Sequence, residues 1–129
     1  MIAVDTNILI RFFTRDDERQ AHRAASLIQK NEIWIAKTVV LETEWVLRNL
    51  YGFSKPEVLA ALRSLSGLDN IHLEDSANVI KALDWAAAGL DFADALHIAS
   101  SQEARPFATL DDKLAKRAKR ITGVNVVAV

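Results

Sequence analysis

Short runs of β-forming apolar residues recur along this chain, and each is separated from the next by stretches with helical spacing. The runs Ile2–Asp5, Ile33–Ala36, Ile71–Leu73, Phe107–Leu110 and Val124–Val127 read as strands. Helices are predicted from about Asn7 to Phe13, over Asp16–Lys30, over Thr38–Leu50 and from the Ser54 cap to Ser66. Three more follow, over Asp75–Ala88, Asp91–Glu103 and Asp111–Lys119. Ser54 with Glu57 three residues on is a capping box. Strands that alternate with helices need crossovers, and crossovers make parallel sheets covered on both faces. The expectation is an α/β fold: a three-layer α/β/α domain with a central, mainly parallel sheet of four or five strands. No linker, repeat or low-complexity tract divides it, so residues 1–129 read as one domain.

Composition removes several function classes. Cysteine is absent, so neither a disulfide framework nor thiolate chemistry is available. No apolar run approaches the length of a membrane span. The start of the chain has no basic region and carries an acid at position 5, so no signal peptide is expected and a cytoplasmic location is. Sixteen basic against seventeen acidic side chains leave a formal charge of −1, which does not by itself call for a polyanionic partner. The basic residues are unevenly placed. Lys113, Lys116, Arg117, Lys119 and Arg120 crowd one predicted helix, and Arg11, Arg15, Arg19 and Arg23 recur every four residues, a spacing that lines one helix face.

The acids are more informative. Asp5 ends the first strand and Asp111 follows FATL. Parallel α/β sheets bind ligands beyond the carboxyl ends of their strands. Glu42 lies near the start of the helix that follows IWIA, and Asp91 and Asp94 open the helix that leads back into FATL. Topology sends all five to the carboxyl edge. Each also has a structural reading: Asn7 as the cap of a helix from Ile8, Asp91 and Asp111 as helix caps, Asp94 as a first-turn acid. Glu42 and Glu44 both stand in a mostly apolar stripe, with Arg48 four residues from Glu44, so periodicity does not separate them. Two carboxylates ~5 Å apart repel by roughly 3 kcal/mol at an effective dielectric of ~20. A converging set therefore calls for a cation, and all-oxygen donors suit Mg²⁺ or Mn²⁺. Such sites hydrolyse phosphodiesters.

Four stretches carry a family resemblance: VDTNIL at Val4–Leu9, the Glu of TVVLETEWVL at Thr38–Leu47, DFADALHIA at Asp91–Ala99 and ATLDDKLAK at Ala108–Lys116. In this order they resemble the acidic motifs of PIN-domain ribonucleases, and in particular the VapC-type toxins of toxin–antitoxin pairs. The resemblance implies a Mg²⁺-dependent ribonuclease, with Mn²⁺ able to substitute, whose metal ligands are Asp5, Glu42, Asp94 and Asp111. Asp91 matches a position often acidic but less essential. Thr6, Asn7 and Thr109 match supporting polar positions, with Thr6 and Asn7 holding the Asp5 carboxylate and its turn. With RNA as substrate, Arg11, Arg15, Lys113, Lys116 and Arg117 become candidate phosphate contacts. The family also implies a homodimer and a cognate antitoxin, whose tail would lie along Phe12, Phe13, Trp45, Leu50 and Tyr51 where these are not core residues.

Other readings compete. A housekeeping RNA-processing PIN nuclease has the same motifs. A phosphatase of the aspartate type wants a second Asp two residues after the first, and here Asn7 stands there. A phospho-acceptor receiver would also use a strand-end Asp. A nucleotide-binding module lacks its glycine-rich phosphate loop. An inactive interaction domain has no use for a self-repelling acid set.

Overall fold

Five of the seven helices begin on a side chain that closes their first turn. In the computed structural model, which describes residues 1–129, α1 (Thr6–Thr14) starts on Asp5, whose carboxylate accepts from the Ile8 amide at 3.2 Å. Asp17 does the same for α2 (Glu18–Lys30), Asp91 for α6 (Phe92–Ala99) and Asp111 for α7 (Asp112–Thr122). Ser54 and Glu57 form the predicted capping box on α4 (Lys55–Ser66). The remaining helices are α3 (Lys37–Asn49) and α5 (Ser76–Ala87). Asn7 is therefore not a cap. It lies in the first turn of α1, and Asp5 caps in its place.

The chain forms two compact units, Met1–Ser76 and Ala77–Val129. In the first, β1 (Ile2–Ala3), β2 (Ile33–Ile35) and β3 (Ile71–Leu73) make a parallel sheet in that order. Ile2 pairs with Ile33, and Ile33 with Ile71. The Val4 amide extends the β1 ladder to the Trp34 carbonyl at 3.2 Å and delivers the chain to Asp5. Side chains alternate along β2: Ile33 and Ile35 are fully buried, and Trp34 between them is exposed. Leu9, Ile10, Leu47 and Val58 from the helices are buried with them.

In the second unit β4 (Phe107–Thr109) and β5 (Val126–Ala128) form a parallel pair, Phe107 opposite Val126. Gly123 ends α7 in the left-handed region at φ 70°, a conformation that suits glycine, and turns the chain toward β5. Val79, Leu83, Leu90, Phe92 and Ile98 are buried. The expected α/β class with parallel strands is observed, its five strands hydrogen-bonded as three and two.

A helix end and a surface pattern depart from expectation. Helix α6 stops at Ala99 rather than Glu103. There Ser101 Oγ donates to the His97 carbonyl at 2.7 Å and Gln102 Nε2 to the Ile98 carbonyl at 3.1 Å, so side chains take the bonds a further turn would have made. The four-residue recurrence of arginine does not lie on one helix face either. Arg11 is on α1, Arg15 is its left-handed C-cap at φ 53°, and Arg19 and Arg23 are on α2. No helix is long and apolar enough to cross a membrane.

Candidate metal and nucleic-acid site

In the first unit the two candidate acids follow neighbouring parallel strands. Asp5 is exposed at the end of β1, and one of its oxygens holds the Ile8 amide. Glu42, also exposed, stands in the second turn of α3, after β2. Thr6 Oγ1 donates to Glu42 Oε1. The sequence reading gave Thr6 to the Asp5 carboxylate. The structure gives its hydroxyl to Glu42, because the first turn of α1 aims the half of the Asp-Thr pair that is buried across to α3. One dipeptide thus presents Asp5 and steadies Glu42.

Two residues on, Glu44 behaves differently. Its side chain is 3% exposed, and both oxygens engage Arg48, from Nε at 2.5 Å and Nη2 at 3.3 Å. It is a buried ion-pair member with its acceptors taken. Periodicity left these two Glu equivalent; the structure makes Glu42 the available carboxylate.

In the second unit Asp91 and Asp111 both act on Asp94. Asp91 is exposed and accepts from the Asp94 amide at 3.3 Å, and Asp111 accepts from the Leu114 amide at 3.0 Å. Partial burial raises the Asp94 carboxyl above its ordinary range, and the charges of Asp91 and then Asp111 push in the same direction, while His97 opposes them. His97 is exposed one turn from Asp94 on α6. Thr109 Oγ1 accepts from the Asp111 amide at 3.1 Å and fixes the turn that carries it. Asn7 is exposed in the first turn of α1.

The candidate RNA contacts fall into two groups. Lys113, Lys116 and Arg117 are exposed on α7. Arg15 pairs with Glu18 at 3.4 Å in the open. Arg11 is tied down: Nε donates to Gln20 Oε1 at 2.6 Å, and Nη1 donates to Tyr51 Oη at 3.0 Å and Asp16 at 3.3 Å. Tyr51 in turn donates to Asp16 at 2.9 Å. The Tyr51 and Thr14 hydroxyls hold the Asp16 carboxyl below its ordinary range, and the Tyr51 bond raises Arg11. Gln20, which the sequence did not single out, and Arg23 of the arginine series line a cleft with Asp5, Asn7 and Arg11. Of the apolar groove residues, Trp45 and Leu50 are 52% and 68% exposed, and Phe12 and Phe13 are half-buried and packed edge to face.

Carboxylate oxygens are hard donors suited to a divalent cation that keeps part of its water shell. Asp5 and Asp111 each have one oxygen engaged with a helix amide and a second available, so their chemistry fits such an ion. No group of three or more His, Cys, Asp or Glu side chains is placed to hold a metal ion between them.

The PIN domain family model matches residues 2–120, and the chain belongs to that family. The match runs across both units. PIN domains are generally metal-dependent nucleases. Comparison with curated proteins finds no match.

Proposed function

We propose that this protein is a Mg²⁺-dependent endoribonuclease, with Asp5, Glu42, Asp94 and Asp111 as the metal ligands and Asp91 beside them. Mn²⁺ substitutes. The observation that carries the reading is the self-repelling acid set on α6 and α7, where Asp91 and Asp111 both oppose ionisation of Asp94. Asp91 and Asp111 serve the fold as helix caps, but Asp94 makes no such bond, and a cation would offset the repulsion it bears. The bound metal would activate a water for attack on a phosphodiester and stabilise charge on the attacking and leaving oxygens. Asp5 and Asp111, fixed by the amides of their own helices, hold their remaining oxygens in place. Thr6 orients Glu42, and the Asp111 turn is set by Thr109.

The same reading makes the protein the toxin of a toxin–antitoxin pair, acting in the cytoplasm as a homodimer that an antitoxin silences. The four motifs support it, as do the exposed Trp45 and Leu50, which leave an apolar surface for a tail. Purified protein is expected to cleave RNA with Mg²⁺ or Mn²⁺ and to stop in EDTA. Full cleavage in excess chelator overturns the metal mechanism. Expression without a partner is expected to arrest growth, with Asp5→Asn relieving the arrest. A harmless wild type that still cleaves RNA favours the housekeeping alternative.

A further inference from the structure

The cleft between α1 and α2 has a volume of about 440 Å³, and Asp5 stands on its wall. Its polar lining is asymmetric. Arg11 is neutralised by Asp16 and braced by Tyr51 and Gln20. Arg23 lines the same cleft, is exposed, and makes no ion pair or hydrogen bond within the chain. Its five donors are all uncommitted. Gln20 has given its carbonyl oxygen to Arg11, which leaves its amide N–H₂ as a donor. Ile8, Ala24 and Leu27 supply an apolar floor.

Arg23 also lines a second, shallower cavity of about 400 Å³ that runs along α2 past Ser26 to Lys30 and Asn31. Arg19, Arg23 and Lys30 lie at i, i+4 and i+11 of α2, one face of the helix, and all three are exposed. Seven residues separate Arg23 from Lys30, about 10 Å at 1.5 Å per residue. The result is a groove with an acid at one end and free cations leading away from it. Apolar floor, free guanidinium and amide donor together fit one nucleotide of an extended strand.

We propose that this α1–α2 cleft is the subsite for the single-stranded RNA segment flanking the scissile phosphodiester, with Arg23 on a phosphate of that flank, Gln20 beside it, and the strand continuing along α2 toward Lys30. The proposal rests on the nuclease reading for its orientation, since Asp5 fixes which end faces the chemistry. Arg11 is the brace that positions Gln20. Arg23 binds.

The test is binding of a fluorescein-labelled, mixed-sequence single-stranded RNA oligonucleotide in EDTA, titrated across a range of salt, with wild type, Arg23→Gln, Arg23→Lys, Lys30→Gln and, as a control on α5, Lys81→Gln. Arg23→Gln is expected to weaken binding about five- to tenfold at low salt and to reduce the slope of log K against log salt by about 0.7, the loss of one phosphate contact on a single strand. Arg23→Lys keeps the slope, Lys30→Gln shows a smaller loss, and Lys81→Gln matches wild type. In the Mg²⁺ cleavage assay Arg23→Gln raises KM and leaves kcat unchanged. A wild type that does not bind this RNA overturns the subsite, as does an Arg23→Gln protein with wild-type affinity and slope. Failure of the nuclease reading looks different: no variant cleaves, while the Arg23-dependent binding persists.

Discussion

Glu42 and Glu44, two residues apart on α3, are expected to fail in opposite ways when changed. Arg48→Met removes the cation from Glu44 and keeps most of the stem volume. The carboxylate left behind is 3% exposed. Removing one partner of a buried pair costs about 3–5 kcal/mol. The Arg48 side chain is 30% exposed, so water reaches the pair and the lower end applies, ~3 kcal/mol. Glu44→Gln retains an acceptor for Arg48 and should lose less, about 1–2 kcal/mol. Replacing both partners, as Glu44→Leu with Arg48→Met, leaves no orphaned charge and is expected to fall near wild type. Glu42→Gln alters an exposed side chain and should move stability by less than ~0.5 kcal/mol. Urea unfolding of the five proteins gives these differences, and RNA cleavage in Mg²⁺ gives the other axis. Glu42→Gln should be stable and inactive, and Glu44→Gln less stable but active while folded. A stable, inactive Glu44→Gln beside an active Glu42→Gln would refute the assignment of the two acids.

Three further outcomes are expected. Asp94 has a raised pKa when folded, so it binds its proton more tightly folded than unfolded; its stabilising contribution is present below the ordinary carboxylate value and lost as pH rises through the folded value. Asp94→Asn escapes that loss, so in EDTA its stability relative to wild type should rise with pH, by under ~1 kcal/mol because solvent screens the site; a fall instead would mark Asp94 as an acid held by its helix dipole. Thr43 Oγ1 is buried on α3 with no hydrogen-bond partner, so Thr43→Val should stabilise the protein by about 1 kcal/mol in thermal unfolding, and an unchanged or lower Tm would show that the hydroxyl is satisfied. Asp111→Asn should abolish cleavage with a Tm close to wild type, since Asn caps a helix about as well as Asp; a large loss of stability would mean that the carboxylate holds more than the α7 amide.

Most of the fold was legible because its boundaries are written in local chemistry. The Ser54–Glu57 box and the caps at Asp91 and Asp111 set helix starts within a residue or two of those observed. The short strands stood out as β-branched and aromatic runs. Where the reading slipped, a side chain reached further than a pattern can register. Ser101 and Gln102 end α6 by bonding back to its carbonyls. Glu42 and Glu44 occupy similar stripes, and only the reach of Arg48 assigns one of them to the core. The arginine recurrence had a real basis but crosses a break: Arg15 takes a left-handed conformation, so Arg11 ends on one wall of a cleft and Arg23 on the other. Cleft walls come from how two helices pack, which sequence spacing within either helix does not encode.

The capping roles bear on why an acid-rich site can persist in a chain this small. Asp91 and Asp111 were each open to a purely structural reading as caps, and each is one; Asp5 caps α1 where Asn7 had been the candidate. The structural and chemical roles are compatible because a carboxylate has two oxygens and roughly four lone-pair directions, while a cap uses one. The amide that a cap receives, with the positive end of its helix behind it, stabilises the ionised form. A cap contributes about 1 kcal/mol to stability. Repulsion between carboxylates that water still reaches is of the same order or smaller. Placing Asp91 and Asp111 at helix starts therefore offsets part of the repulsion they share with Asp94, and it fixes their direction without further residues. Asp94 has no such compensation. Burial and the neighbouring charges raise its carboxyl above the ordinary range, and it sits in the first turn of the helix, where Asp91 already holds its amide. If a cation is what the set is for, Asp94 is where its arrival should be felt most, because the charge held least comfortably gains most from a counter-ion.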